Sequence, residues 1–265
     1  MIRWPRAALS LTLGALVAGL GWRRGALSGD GAVAATAVGG STFGFGGLPA
    51  SLALIAFFAT GSALSRRKTA PDEVASAKGH RRDSWQVLAN GGVASAALAL
   101  WAAGWRPGRA AALGALAAAA ADTWASEIGV RSPSPPRSIV TGSVVRPGSS
   151  GGVTPLGWLA ATGGALVVGA AWTAAGDRRA AWLSLALVAG LAGSLADSLA
   201  GATIQAGYRC EACGQTAEAP GEHCGRPRRL VCGRVWITND VVNLIGTAAG
   251  GLVGASLAQT VRRPR

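Results

Sequence analysis

The chain has 265 residues; half are hydrophobic and only 14% are charged, with 40 glycines and a formal net charge of +13. Ordinary soluble domains carry about 25% charged residues, so the composition excludes a simple soluble globular protein. It fits helices that pack closely in lipid through small residues. The positive charge does not point to nucleic acid: it is nearly all arginine in loops between apolar runs, where it sets membrane topology, and no aromatic-rich basic module accompanies it.

Apolar runs predict helices over 7–22, 31–46, 48–64, 86–104, 109–129, 152–174, 181–205 and 239–260. Several approach the roughly 20 residues that cross a bilayer. The fold class is therefore an all-α polytopic membrane protein, a bundle of about eight transmembrane helices with a small cytoplasmic Cys-containing loop. The first run follows Arg3 and Arg6 and ends in Trp22, Arg23 and Arg24. That is an interfacial anchor rather than a cleaved secretory signal. It places an N-terminal transmembrane helix in 1–29 and the main membrane domain in 30–262, with the Cys/His loop 206–238 inserted. The stretch GGSTFGFGGLP at 39–49 reads as a tight turn or a broken helix.

Longer polar segments fall at 65–85, 130–151 and 206–238. With 23–30 they hold 16 of the Lys and Arg residues, against 9 on the opposite side. The positive-inside rule then puts the long loops on the cytoplasmic face of a cytoplasmic membrane and both termini outside.

In KGHRRDSWQVLANGG, residues 78–92, the basic residues serve topology. Gln86 and Asn90 share a helix face, and buried amides need partners. Next comes DTWASEIG, residues 122–129. Asp122, Ser126 and Gly129 share a face, while Glu127 stands about 140° away as an interfacial charge or a site residue. A charge inside lipid is expensive and normally faces a cavity or a partner. Asp122 lies roughly 10 Å and Asp197 about 12 Å from the cytoplasmic helix ends, at about 1.5 Å per residue. The two carboxylates share a depth.

The segment VVRPGSSGGVTPLG, 144–157, is a Gly/Ser bend running into a helix start. Its amides can cradle a phosphate, although its spacing is not that of a P-loop and a flexible loop explains it nearly as well. In GSLADSLAGATIQ, Gly193, Asp197, Gly201 and Gln205 recur every four residues, so Asp197 points into a close helix contact, as a site residue or as a polar packing lock. In YRCEACGQTAEAPGEHCGRPRRLVCGR, Cys210 and Cys213 have zinc-knuckle spacing; Cys224 and Cys232 complete four thiolates, with His223 as the alternative ligand. A cytoplasmic loop is reducing, which favours metal over disulfides. Finally, WITNDVVNLIGT places Asn239, Asp240 and Asn243 at a helix start, where capping accounts for Asn239 and the helix dipole for Asp240.

Six of these features in order, QVLANGG, DTWASEIG, PGSSGGVTPLG, GSLADSLAGATIQ, the Cys-x2-Cys with His-Cys-Gly, and NDVVNL, make the chain resemble a known family. It is the integral-membrane family termed domain of unknown function 92, which includes plant phytyl-phosphate kinase and animal transmembrane protein nineteen. The resemblance runs over roughly residues 30–255 and implies an isoprenoid-lipid kinase that uses a nucleoside triphosphate such as CTP.

That implication sets expectations for the site. Phosphoryl transfer needs metal ions, cationic clamps and positioning more than covalent chemistry. Asp122 and Asp197 are expected to hold Mg2+, with Asp240 or Glu127. Arg146 and the Gly148–Ser149–Ser150–Gly151–Gly152 loop are expected to grip nucleotide phosphates, with Lys78 and Arg82 as further cations. Asn90, Asn239 and Asn243 orient phosphate or metal-bound water. Zn2+ is expected to be structural. The expected partners are an isoprenoid lipid phosphate, a nucleoside triphosphate and membrane lipids, with no nucleic acid; the oligomeric state is not set. Two alternatives stand beside this reading: a lipid-phosphate or ion transporter, and a lipid-phosphate nucleotidyltransferase.

Overall fold

A computed structural model describes residues 4–66, 81–176 and 180–261, with the side chains of 4–6 excepted. Among them are seven helices: α1 Trp4–Arg23, α2 Gly29–Ser65, α3 Ser84–Ala102, α4 Gly108–Gly129, α5 Pro155–Ala174, α6 Ala180–Thr203 and α7 Asn239–Ser256, followed by a 3-10 turn at Leu257–Gln259. α2, α5, α6 and α7 with its 3-10 turn are long and apolar enough to cross a membrane, and α1 is a shorter apolar helix. α3 and α4 read as less apolar because of what they carry: alanines, glycines and the polar residues Gln86, Asn90, Asp122 and Glu127.

The count falls short of eight because the expected helices 31–46 and 48–64 form one element, α2. It is broken at Gly47, whose φ of 66° and ψ of −161° are non-helical. A positive φ is cheap only for glycine, and Pro49 just beyond cannot extend the preceding helix. The two arms run in opposite directions. Thr42 meets Ser95 of α3 in the first arm, whereas Thr60 and Ser65 meet Trp124 and Glu127 of α4 in the second. Ser28, capping the start of α2, bonds Arg82, and Arg66 at its end reaches the Arg24 carbonyl. Both ends of α2 therefore lie at one end of the bundle.

α4 is the axis. Its residues from Gly108 to Ala121, apart from Arg109, are all buried. Its small side chains let α7 approach until backbones touch: a Cβ on Gly114 would sit 2.2 Å from the Gly250 carbonyl oxygen, and one on Gly254 would sit 2.4 Å from that of Ala110. Such small-residue seams substitute for the hydrophobic force that lipid does not provide. At the far end Arg109 stacks between Trp101 and Trp172, with its guanidinium carbon 5.3 and 5.6 Å from the rings.

The polar segments gather at the other end. Two-stranded β1 (Arg137–Ser138) and β2 (Gly152–Val153) bracket the Gly/Ser loop, with Arg137 opposite Val153. Between α6 and α7 stands a small lobe. Strands β3 (Gly207–Arg209), β4 (Thr216–Ala217) and β7 (Arg229–Cys232) form a sheet in the order β4-β3-β7, beside the β5–β6 hairpin of Glu222–His223 and Arg226–Pro227.

Candidate functional site

At this end the helices part around a cavity of about 800 Å3. Its lining contains most of the residues singled out in the sequence: Asn90 of α3, Asp122 and Glu127 of α4, the loop Gly148–Gly152, Asp197 of α6, and Asn239 and Asn243 of α7. Deeper in, Asn90, Asp122, Asp197 and Asn243 converge again on a narrow cleft bounded by Gly193 and Gly246.

Packing explains the convergence. A Cβ on Gly193 would lie 2.3 Å from the Ala118 Cβ and 2.7 Å from the Gly246 carbonyl oxygen, so α4, α6 and α7 meet without side chains between them. The next turn of α6 then brings Asp197 against α4. Its carboxyl group and that of Asp122 come within hydrogen-bonding reach, and Glu218 is near enough for its charge to act on both. The Asp197 Oδ2 atom is buried, with no hydrogen-bond partner among the described residues. Thr247 donates to the Ala89 carbonyl at 2.8 Å, which ties α7 to α3 and brings Asn243 beside Asn90. Asn90 itself donates one amide hydrogen to Gln86 O at 2.9 Å.

Glu127 is not a headgroup-facing charge. It is 7% exposed, accepts from Ser65 Oγ at 2.8 Å and lines the cavity. Arg82 shares that wall. Its Nη1 donates to Ser62 Oγ at 3.0 Å, and its guanidinium lies over Phe57 and Phe58 at 5.6 and 5.5 Å. Burial pulls its ionisation down from the usual guanidinium value, and the charge of Glu127 opposes that shift. Backbone bonds from Arg82 N to Ala26 O and from Ser28 N to Arg82 O, both 3.0 Å, fix the residue in place.

The Gly/Ser loop is shaped by left-handed backbone at Gly148 and Gly151, with φ of 79° and 71°. Gly151 has no alternative: a Cβ would lie 2.3 Å from the Ala202 Cβ of α6. The amides of Ser149 and Gly152 close the turn onto the Arg146 and Ser149 carbonyls. α5 begins just beyond, but Thr154 caps it, accepting from Gly157 N at 2.9 Å. Both the loop and the capped start of α5, through Thr154 and Gly157, line the cavity.

The expected residues do not all meet there. Arg146 is exposed and outside the lining, and Asp240 is also outside it. Lys78 lies outside the described residues. Sequence reasoning passed over Glu218 and Ser65 and named Gln205 without assigning it to the site; all three are in the lining. Gln205 had a signal in its four-residue spacing from Asp197 and Gly201; Glu218 had none beyond its place between Cys213 and His223.

In the lobe, Cys210, Cys213, His223 and Cys224 place one ligand atom each within 4.8 Å of one another. His223 Nδ1 is 3.3 Å from Cys213 Sγ and 3.2 Å from Cys224 Sγ. A tetrahedron with bonds of about 2.3 Å has edges of about 3.8 Å, so the donor set fits a zinc-class ion. Of the two alternatives for the fourth ligand, Cys232 lies outside the group. It sits on β7 opposite Gly207, packed where a Gly207 Cβ would be, and His223 takes the fourth place. The Cys213 backbone amide, then His223, draws the Cys210 thiol down to about 6, while Cys224 is pushed up, chiefly by Cys213.

Comparison with known proteins agrees with this architecture. The profile of the family described as integral membrane protein DUF92 matches residues 12–251. Protein PGR of Arabidopsis thaliana is 34% identical over 197 residues, covering 63% of this chain and 68% of that protein. The uncharacterized membrane protein MJ0933 of Methanocaldococcus jannaschii is 30% identical over 241 residues, covering 89% and 87%. No solved structure matches. The chain belongs to the integral membrane protein DUF92 family.

Proposed function

We propose that the protein is a Mg2+-dependent phosphotransferase that moves the terminal phosphoryl group of a nucleoside triphosphate, CTP or similar, to an isoprenoid-lipid phosphate at the cytoplasmic face. The observation that carries this reading is the meeting of Asp122, Asp197, the partly buried Arg82 and a Gly/Ser loop in one cavity. Two like charges about 4 Å apart repel by about 4 kcal/mol at an effective dielectric of 20, so the pair shares a proton when empty and, when both groups ionise, takes a cation between them. Their hard oxygens suit Mg2+, which, when bound, neutralises phosphate oxygens during transfer.

The residues divide the work. Asp122 and Asp197 hold the cation. The loop amides that do not close the turn, those of Gly148, Ser150 and Gly151, and the Arg82 guanidinium bind phosphate oxygens, and Glu127 keeps Arg82 aimed. Asn90 and Asn243 orient the reacting groups. An oxygen of the lipid monophosphate attacks the terminal phosphorus, the bond to the bridging oxygen breaks, and nucleoside diphosphate leaves. With a second pKa near 6 the acceptor phosphate is already mostly dianionic at neutral pH, so the chain need not supply a strong base. The tail departs along α5, past Gly157, Trp158 and Ala161 of the lining.

Purified protein with labelled nucleotide, Mg2+ and phytyl or geranylgeranyl phosphate should yield the lipid diphosphate and nucleoside diphosphate. Release of pyrophosphate instead would mean nucleotidyl transfer. Liposome flux without nucleotide consumption would mean transport. Either result, or folded protein that converts no lipid phosphate, overturns the proposal.

A further inference from the structure

Outside the helices, the cavity wall is completed by the lobe, through Glu218. Ser150 Oγ of the Gly/Ser loop donates to Glu218 Oε1 at 2.8 Å. Ser150 lies next to Gly151, whose backbone is pressed against α6. This hydrogen bond joins the lobe to the loop, and backbone packing joins the loop to the helix that carries Asp197.

Glu218 is held from both sides by the Cys/His group. β4 ends at Ala217, which pairs with Tyr208 in β3; both are buried. Cys210 N donates to Gln215 O at 2.8 Å and Gly214 N to Cys210 O at 2.9 Å, folding the knuckle immediately before β4. After Glu218 the chain turns through Gly221 into the β5–β6 hairpin, which delivers His223 and Cys224 back to Cys210 and Cys213. An ion bound to these four side chains closes the segment 213–223 into a loop with Glu218 near its middle. Closing such a loop removes conformational freedom that the metal-free segment retains. The strands are only two to four residues long and β7 is exposed throughout, so their pairing anchors the start of the segment and the ion adds the closure at its far end.

We propose that Glu218 is a positioning residue for the phosphate-binding loop, and that a zinc-class ion in the Cys210–Cys213–His223–Cys224 group acts on the site by fixing Glu218. The lobe is then an assembly element of the cavity rather than a separate domain. This rests on the reading of 148–152 as the phosphate-binding loop. The hydrogen bond needs an acceptor oxygen at position 218 and not a negative charge, so Glu218→Gln retains it and Glu218→Ala loses it.

The test uses full-length protein in nanodiscs and reads zinc content, backbone amide exchange over 146–152, and nucleotide kinetics. Glu218→Ala is expected to retain one zinc per chain and the wild-type melting temperature. Its loop amides should exchange about tenfold faster, and KM for nucleotide should rise severalfold with kcat less affected. Glu218→Gln is expected to restore slow exchange. Stripping zinc from the wild type with a chelator should give the same acceleration, and stripping it from Glu218→Ala should add nothing. Unchanged loop exchange in Glu218→Ala, Gln behaving as Ala does, or equal chelator effects in both backgrounds would each overturn the proposal. Exchange and zinc content need no turnover. Coupled exchange without phosphoryl transfer would therefore refute the proposed function and leave this inference standing; transfer without coupling would do the reverse.

Discussion

The carboxyl groups of Asp122 and Asp197 meet across the α4–α6 seam, brought there by a contact of small residues one turn away, Ala118 of α4 against Gly193 of α6. Asparagine keeps the shape of each side chain and removes its charge. Asp122→Asn and Asp197→Asn should each lower phosphoryl-transfer turnover by about 100-fold or more, the size seen when one electrostatic stabiliser is removed from a site. Both variants should melt no lower than the wild type, because a buried like-charge contact has been relieved. Initial rates and thermal melts check the two parts; full turnover in both variants would remove the acids from the chemistry.

Gly246 bears on the same pair from α7. A Cβ there would lie 2.9 Å from the Asp197 Cβ and 3.1 Å from the Gly193 carbonyl oxygen. The Asp197 Cβ and the α6 backbone are too stiff to yield without displacing the carboxylate. Gly246→Ala should therefore cost about 1–3 kcal/mol as overpacking and weaken Mg2+ dependence together with turnover. The nearby Gly92→Ala is the control, since its Cβ would meet only Leu88 side-chain atoms at 4.0 Å. A Mg2+ titration of activity in each variant separates a displaced carboxylate from a general loss of fold.

Arg82 should not tolerate lysine. Its planar guanidinium bonds Ser62 and faces two phenylalanine rings, and a lysine keeps the charge but not the fork. Arg82→Lys is expected to raise KM for the phosphate substrates about tenfold, in line with losing one charge-assisted hydrogen bond. Gly61→Ala, whose Cβ would lie 2.7 Å from Arg82 Nη2, should move KM in the same direction. Steady-state kinetics with each substrate varied in turn is the check.

The helices were legible because lipid imposes long apolar runs, and the observed bounds fall within a few residues of those runs. The fusion of two expected helices into α2 was half legible: GGSTFGFGGLP marked a break, but spacing alone cannot say whether a chain stops or folds back through one glycine. Asp122 and Asp197 could be paired by depth, since both helices exit at the same end. Their contact depended on Gly193 meeting Ala118 and Gly246, a three-helix packing that no single segment reports. Arg146 looked like the phosphate cation because it adjoins the Gly/Ser loop in sequence. Arg146 is exposed and outside the cavity lining, whereas Arg82, which the sequence offered mainly as a topology charge and only second as a phosphate cation, is in the lining. Glu218 was invisible because its place depends on how the lobe folds back over the cavity.

The lobe's ligand set gives a prediction with a built-in control. Cys213→Ser removes a thiolate from the group, while Cys232→Ser alters a sulfur on β7 outside it. Metal analysis of purified protein should find about one zinc-class ion per chain in the wild type and in Cys232→Ser, and a large loss in Cys213→Ser. Acidification should release the ion, because only thiolates bind it. Without metal, the folded-state value of Cys210 lies near 6, below its ordinary 9.0. Its contribution is thus complete above the ordinary value and fades as the pH falls through about 6, where a proton competes with the metal. Cys224 is shifted the other way, so it must lose a proton on binding and affinity should continue to rise above neutral pH. Metal content measured after equilibration between pH 5 and 9 should follow that profile; an ion retained in full at pH 5, or lost equally in Cys232→Ser, would rule out the assigned set of four.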